Sequence, residues 1–211
     1  MKILIDSKHA ISISEGNVKM GSIPSFSVTP LRTCPTGIPC ANECYARRME
    51  KRRDNTAKAY RNNTESILHR PNDVVRILTY YIKRRNLTHF RFNVAGDFKL
   101  PGYWEVVVRV ARACPNCKFL AFTKLYSIQE RRKPSNLTVV LSVWKDYKPE
   151  NPKYGLAYFD DGTPECNVPE NTFVCRGGCS TCLYCFYMDK KQAVIFKKTL
   201  TRNINKKGNT Q

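Results

Sequence analysis

Two apolar runs, "KFLAFTK" (118–124) and "LTVVLSVW" (137–144), most strongly limit what this chain can fold into. Each is continuous rather than alternating, the pattern of a strand covered on both faces, as in a parallel sheet. Parallel strands need crossovers, and the flanking sequence supplies them. "HFRFNVAGDF" (89–98) alternates Phe90, Phe92 and Val94 and breaks at Gly96, which reads as a strand with a turn. "PGYWEVVVRVARAC" (101–114) then sets Tyr103, Val107, Val110 and Cys114 on one helical face. The basic "YSIQERRKPSN" (126–136) lies between the two apolar runs and provides the next crossover.

Upstream, "GSIPSFSVTPLRT" (21–33) reads as a strand leading into a cysteine loop. In "ECYARRMEKRRDNTAKAYRNNTESILH" (43–69), Tyr45, Met49, Tyr60 and Ile67 recur at helical spacing, with Arg47, Arg48, Lys51, Arg52 and Lys58 mostly off that stripe. "RPNDVVRILTYYIKRRN" (70–86) starts a further helix. Pro71 sits in its first turn, Asn72 or Asp73 is the cap, and Val74, Leu78 and Tyr81 face inward. Alternating helices and buried strands define an α/β protein. With too few units for a closed eight-stranded barrel, the expected architecture is a partial (β/α) barrel or an open, mostly parallel sheet. Residues 1–160 form the core, and 161–211 a cysteine-rich metal-binding segment ending in a frayed basic tail, "TRNINKKGNTQ".

Charge narrows the partner. The 36 Lys and Arg against 17 Asp and Glu give a formal net charge of +19, which suits nucleic acid or a phosphate-rich substrate. Five cations, Arg47, Arg48, Lys51, Arg52 and Arg53, face a single anion between residues 47 and 53. Such a cluster holds phosphates without reading bases. Alternatively it is a solvated face, with Glu43, Glu50, Asp54 and Glu65 as local partners. No apolar run is long enough for a signal peptide core or a membrane span, so no membrane partner is expected and the cytoplasm is the expected compartment. In a reducing compartment ten cysteines point to metal or redox chemistry rather than to disulfides.

The cysteines fall into two groups. "CNVPENTFVCRGGCSTCLYCF" (166–186) carries Cys166, Cys175, Cys179, Cys182 and Cys185, the last three spaced C-x2-C-x2-C. Consecutive C-x2-C units bring thiolates to one centre, and Gly177–Gly178 let the backbone wrap it. That spacing serves a [4Fe–4S] cluster, with a four-cysteine zinc site as the alternative. The first group, Cys34, Cys40 and Cys44, has no close fourth cysteine. Three thiolates on a four-iron cube leave one iron open to a substrate or cofactor. The competing arrangement borrows Cys166 and closes the site. Cys114 and Cys117 also match C-x2-C but sit between a helix and a buried strand, where packing is the simpler role.

"CANECYARRMEKRRDNTAKAYRNN", "FRFNVAGDF", "KFLAFTK", "LTVVLSVW" and "CSTCLYCF", in that order, resemble the bacteriophage gene product 88 family from about Ser22 to Phe196. That resemblance implies a phage-encoded protein working in a host cytoplasm. More distantly, the chain resembles radical S-adenosylmethionine enzymes, which place a cysteine triad after the first strand of a partial barrel and a glycine-rich acidic turn after the second. The triad spacing here is wider, and Gly96-Asp97 lacks a doubled glycine. The resemblance implies one or two [4Fe–4S] clusters, bound S-adenosylmethionine, and action on nucleic acid or nucleotides. Ligands gather at the ends of parallel strands, so Gly96, Asp97, Lys124 and Ser142 are the candidate cofactor-binding residues. Asp97 is alternatively the cap of the helix near Pro101. The rival function is a non-catalytic nucleic-acid-binding protein with structural iron–sulfur or zinc sites. His9, His69 and His89 form no ligand-like pair in the sequence.

Overall fold

A computed structural model describes residues 1–144, 146–160 and 168–197. Seven strands form one sheet in the order β3-β4-β5-β6-β7-β9-β8: β3 (Ser25–Phe26), β4 (His89–Phe92), β5 (Lys118–Thr123), β6 (Leu137–Val143), β7 (Gly155–Asp160), β8 (Phe173–Val174) and β9 (Ala193–Lys197). Every pairing within it is parallel. β3 and β8 are its two edges, so the sheet is open rather than closed. A separate antiparallel hairpin, β1 (Lys2–Leu4) and β2 (Ala10–Ser12), has no counterpart in the expected plan.

The helices are α1 (Tyr45–Arg52), α2 (Asp54–His69), α3 (Pro71–Arg84), α4 (Tyr103–Ala113) and the single turn α5 (Cys179–Cys182). The expected continuous helix over 43–69 is broken. Arg53 is extended (φ −140°, ψ 101°), closing α1 through its N–H to the Met49 carbonyl and opening α2. No glycine or proline marks this break. Tyr45, expected on the buried stripe, is 53% exposed, whereas Ile67 is buried. At α3 neither Asn72 nor Asp73 is the cap. Arg70 holds that position with Pro71 following it, and the Asp73 carboxylate instead accepts from Arg70 Nε at 2.9 Å and Arg76 at 3.0 Å. The segment expected as a strand over 21–33 is β only at Ser25–Phe26, and the 126–136 crossover holds a 3-10 turn at Tyr126–Glu130.

The sheet buries both faces, as the continuous apolar runs require. Phe26, Phe90, Phe92, Phe119, Ala121, Val139 and Leu141 pack with α3 and α4, including Leu78, Tyr103, Val107 and Val110. The other face carries Leu120, Phe122, Val140 and Val194, and is covered by Met20 and Ile23 from the N-terminal segment and by Phe186 and Met188 from the cysteine-rich one. Cys114 and Cys117 are buried in the helix-side core. Asn136 steadies their turn by donating to the carbonyls of Ala111, Cys114 and Cys117 at 2.9–3.0 Å. The hairpin is fixed to α2 by buried Asn63, which bonds Ser12 N and O and reaches the Ser27 carbonyl at 2.7 Å. Among the described residues no helix is long and apolar enough to cross a membrane. The tail 201–211 lies outside the described residues.

Candidate functional site

The loops leaving β3, β4 and β5 meet at the C-terminal ends of these strands. The β3 loop carries Cys34, and the β4 turn approaches it closely: Val28 N–H donates to the Ala95 carbonyl at 3.1 Å, and Asp97 N–H donates to Thr33 Oγ1 at 3.0 Å. Gly96 makes this approach possible. Its φ is +78°, and a Cβ there would stand 2.4 Å from Val28 Cγ2, 2.6 Å from Thr33 Oγ1 and 2.8 Å from the Val28 carbonyl. Only glycine combines that backbone with that contact.

Asp97 is fully buried. Its oxygens accept the Thr123 hydroxyl at 2.5 Å, the Lys124 N–H at 2.8 Å and its neighbour's N–H, from Phe98, at 2.8 Å. The Lys124 ammonium is 3.7 Å away with its side chain 17% exposed. Asp97 therefore ties the β4 turn to the end of β5. It does not cap α4, whose N-cap is Gly102. Ser142 lies on β6, half-buried, and its carbonyl accepts the Tyr126 hydroxyl at 2.8 Å. The Tyr147 hydroxyl bonds the Lys124 carbonyl at 2.9 Å, joining the β5 and β6 loops across the mouth.

Cys34 is buried, with Cys40 and Cys44 half-buried on the same loop. Burial pushes the Cys34 thiol up to about 11, with Lys124 acting the other way and Asp97 and Cys40 adding to the rise. Cys40 is raised by burial, opposed by Lys124 and reinforced by Cys44. Burial works against the Lys124 ammonium, but Asp97, Cys40 and Cys34 outweigh it and its pKa is raised. Tyr45 is exposed as a residue, while its hydroxyl donates to the Val94 carbonyl. Burial of that oxygen raises its pKa against the pull of Arg91 and Lys124.

In the second group Cys175, Cys179 and Cys185 pack against the sheet face that carries Leu120 and Phe122. Cys175 follows β8, and Gly177 and Gly178 are both left-handed ahead of α5. Cys179 N–H donates to the Lys19 carbonyl at 2.9 Å, so the N-terminal segment holds α5 in place. Burial pushes the Cys185 thiol up to about 12, with Cys175, Cys179 and Cys182 adding to the rise and Arg91 opposing it. Cys179 is raised in the same way. Cys166 lies outside the described residues.

Arg91 was not a sequence candidate, because one charge in an alternating strand reads as its solvent side. In the fold that side faces the cysteine-rich segment. Its guanidinium lies 4.8 Å over the Phe122 ring, and its Nε is buried with no partner among the described residues. Asn93 Oδ1, just beyond β4, is likewise buried and without a partner among the described residues. Arg91 acts on Tyr45 beside one cysteine group and on Cys179 and Cys185 of the other.

Among the described residues no three His, Cys, Asp or Glu side chains stand in metal-holding geometry. The donors nonetheless suit a thiophilic centre: two sets of neighbouring thiols, raised by burial, each with a cation that opposes the rise. Metal loops commonly close on their ligands only when the metal binds. His9 and His69 do meet, at 5.7 Å between rings, with Asp6 bonded to His9. They too belong to no metal-holding group of described residues.

The basic α1 is solvent-facing. Arg47, Arg48, Lys51, Arg52 and Arg53 are exposed, and among the described residues none makes an ion pair. Glu65, an expected partner, is taken by Arg32 at 2.6 Å and His69 at 3.5 Å.

Fold and site together define an open parallel α/β protein with a cysteine loop laid over the C-terminal ends of its strands. The chain belongs to the gene product 88 family, whose model matches residues 6–168. No curated protein and no solved structure matches the chain.

Proposed function

We propose that this is an iron–sulfur protein in which Cys34, Cys40 and Cys44 hold a [4Fe–4S] cluster at the mouth of the sheet. A second centre, iron–sulfur or zinc, is held by Cys175, Cys179, Cys182 and Cys185, with Cys166 a further donor to either site. The observation carrying this reading is the nearly buried Lys124 ammonium, held by Asp97, which opposes the rise that burial imposes on the Cys34 and Cys40 thiols. A cation there favours the thiolates a metal needs and offsets their charge. Asp97 keeps Lys124 charged and in place, Gly96 lets the loops close up, and Ser142 adds polarity at the next strand.

Bound by only three thiolates, such a cluster supplies one electron and an iron open to S-adenosylmethionine, the chemistry of reductive cleavage. The chain's own residues bind and orient. Tyr45 covers the mouth and Asn93 offers an unused carbonyl oxygen. Nucleic acid or a nucleotide is the substrate class in this reading, supported by the unpaired cations of α1.

Anaerobic purification with iron, sulfide and zinc analysis tests the proposal, followed by reduction in the presence of S-adenosylmethionine. Brown protein that forms 5′-deoxyadenosine is the expected result. Colourless protein holding zinc alone would remove the enzyme. The second reading, a non-catalytic nucleic-acid-binding protein with structural metals, is favoured by that same α1 surface, which needs no open iron. Iron without 5′-deoxyadenosine, together with salt-sensitive nucleic-acid binding, is its signature.

A further inference from the structure

We infer a phosphate-binding cleft between the N-terminal hairpin and α2, taking the phosphodiester backbone of a nucleic-acid strand. This rests on the nucleic-acid reading of the partner. A cavity of about 470 Å³ is lined by Lys2 of β1, Ser12 of β2, and Asn55, Lys58, Ala59 and Asn62 of α2. The four α2 residues share one helical face, being three, four and seven positions apart. Ala59, small and central, leaves the space that the longer side chains surround.

The walls are fixed before any ligand arrives. Asn63 and Ser66, buried on the neighbouring face of α2, bond the hairpin at Ser12 N and O and at the Ala10 carbonyl, the last at 2.8 Å. Hairpin and helix therefore hold their spacing, and binding orders little that is not already ordered.

The lining is unspent. Among the described residues, the two ammonium groups, the two carboxamides and the Ser12 hydroxyl make no hydrogen bond or ion pair within the protein. Among the described residues no carboxylate lines the space. Two cations with neutral donors between them suit a singly charged phosphodiester, the ammoniums meeting non-bridging oxygens and the amides and hydroxyl adding hydrogen bonds. A strand is favoured over a small anion by continuity. Arg52 ends α1, Arg53 links it to α2, and Asn55 of the cleft follows two residues later. Phosphates lying along α1 lead into the cleft.

The test is binding of a fluorescent single-stranded oligonucleotide to the full chain over a salt series. Lys2→Gln/Lys58→Gln replaces two exposed side chains and should fold normally. It is expected to bind about tenfold more weakly at low salt, with the salt slope reduced by about 1.4, or ~0.7 per contact. Asn55→Ala/Asn62→Ala should weaken binding about threefold with the slope unchanged, since neutral donors release no counterions. A double-lysine variant with wild-type affinity and slope, beside an Arg47→Gln/Arg48→Gln variant that loses both, overturns the cleft and leaves the nucleic-acid reading intact. Wild-type protein that binds no nucleic acid overturns both. A mononucleotide that occupies the lysine-dependent site as tightly as the oligonucleotide makes the ligand a nucleotide and overturns the strand.

Discussion

The Asp97 carboxylate and Lys124 are locked together twice, through the Lys124 backbone N–H at 2.8 Å and its ammonium at 3.7 Å. One contact sets where the strand ends and the other sets the charge beside the thiols. Both depend on an aspartate with no exposed surface.

Asp97→Ala removes three hydrogen bonds and leaves Lys124 as a nearly buried cation without its carboxylate. A loss of about 3 kcal/mol in urea unfolding is expected. A midpoint equal to wild type, at unchanged m-value, would show that the pair is not what holds the mouth together.

Gly96→Ala forces a Cβ into the Val28 backbone at a positive φ. Strain of about 2 kcal/mol or more is expected, and the β3 loop must move away from the β4 turn. Iron bound per chain after anaerobic reconstitution should fall more for this variant than for Gly37→Ala. Gly37 also has a positive φ, but a Cβ there meets no atom of the described residues within 4 Å.

The two cysteine groups should lose metal separately. Cys44→Ala is expected to remove the centre at the mouth and spare the C-terminal one, and Cys182→Ala to do the reverse. Simultaneous loss of both in either variant would indicate a single shared site. Cys114→Ala/Cys117→Ala should keep full metal content. In wild type, burial pushes Cys117 up to about 12 and raises Cys114 as well. With so little thiolate at pH 8, both should alkylate slowly.

Acid stability should depend on the link between the hairpin and α3. Arg76 and then Arg70 lower the Asp73 carboxyl below 3.8, and the Lys8 N–H is the largest influence lowering Asp6, which also pairs with Arg70. A lowered carboxyl stabilises the fold above its unfolded value of 3.8 and loses that contribution as pH falls through the lower folded value. Asp73→Asn should therefore be less stable than wild type near neutrality and show a flatter decline below pH 3.8. Parallel curves through that range would mean that Asp73 titrates alike in both states.

Continuous apolar runs and helical stripes made the parallel sheet, α4 and the buried Cys114–Cys117 turn readable, because periodicity reports which faces lack water. The break at Arg53 was invisible, since no proline or glycine there signals it. The antiparallel hairpin was missed for a related reason: three-residue strands carry too little alternation to register. Asp97 was legible as a residue at a strand end, but its partners Thr33, Thr123 and Lys124 lie 26 or more residues from it in sequence.

By itself, then, the sequence determined what was local: the spacing of each cysteine group, the density of charge after Cys44, and the rhythm that makes strands parallel. Tertiary structure alone decided the rest. It brought Lys124 to Cys34 and Cys40, turned Arg91 from a surface position into a cation facing the cysteine-rich segment, and joined a hairpin to α2 around an unspent polar cleft. Pattern along a chain records exposure to solvent, whereas a charge acquires its role from whichever groups the fold sets within a few ångströms of it.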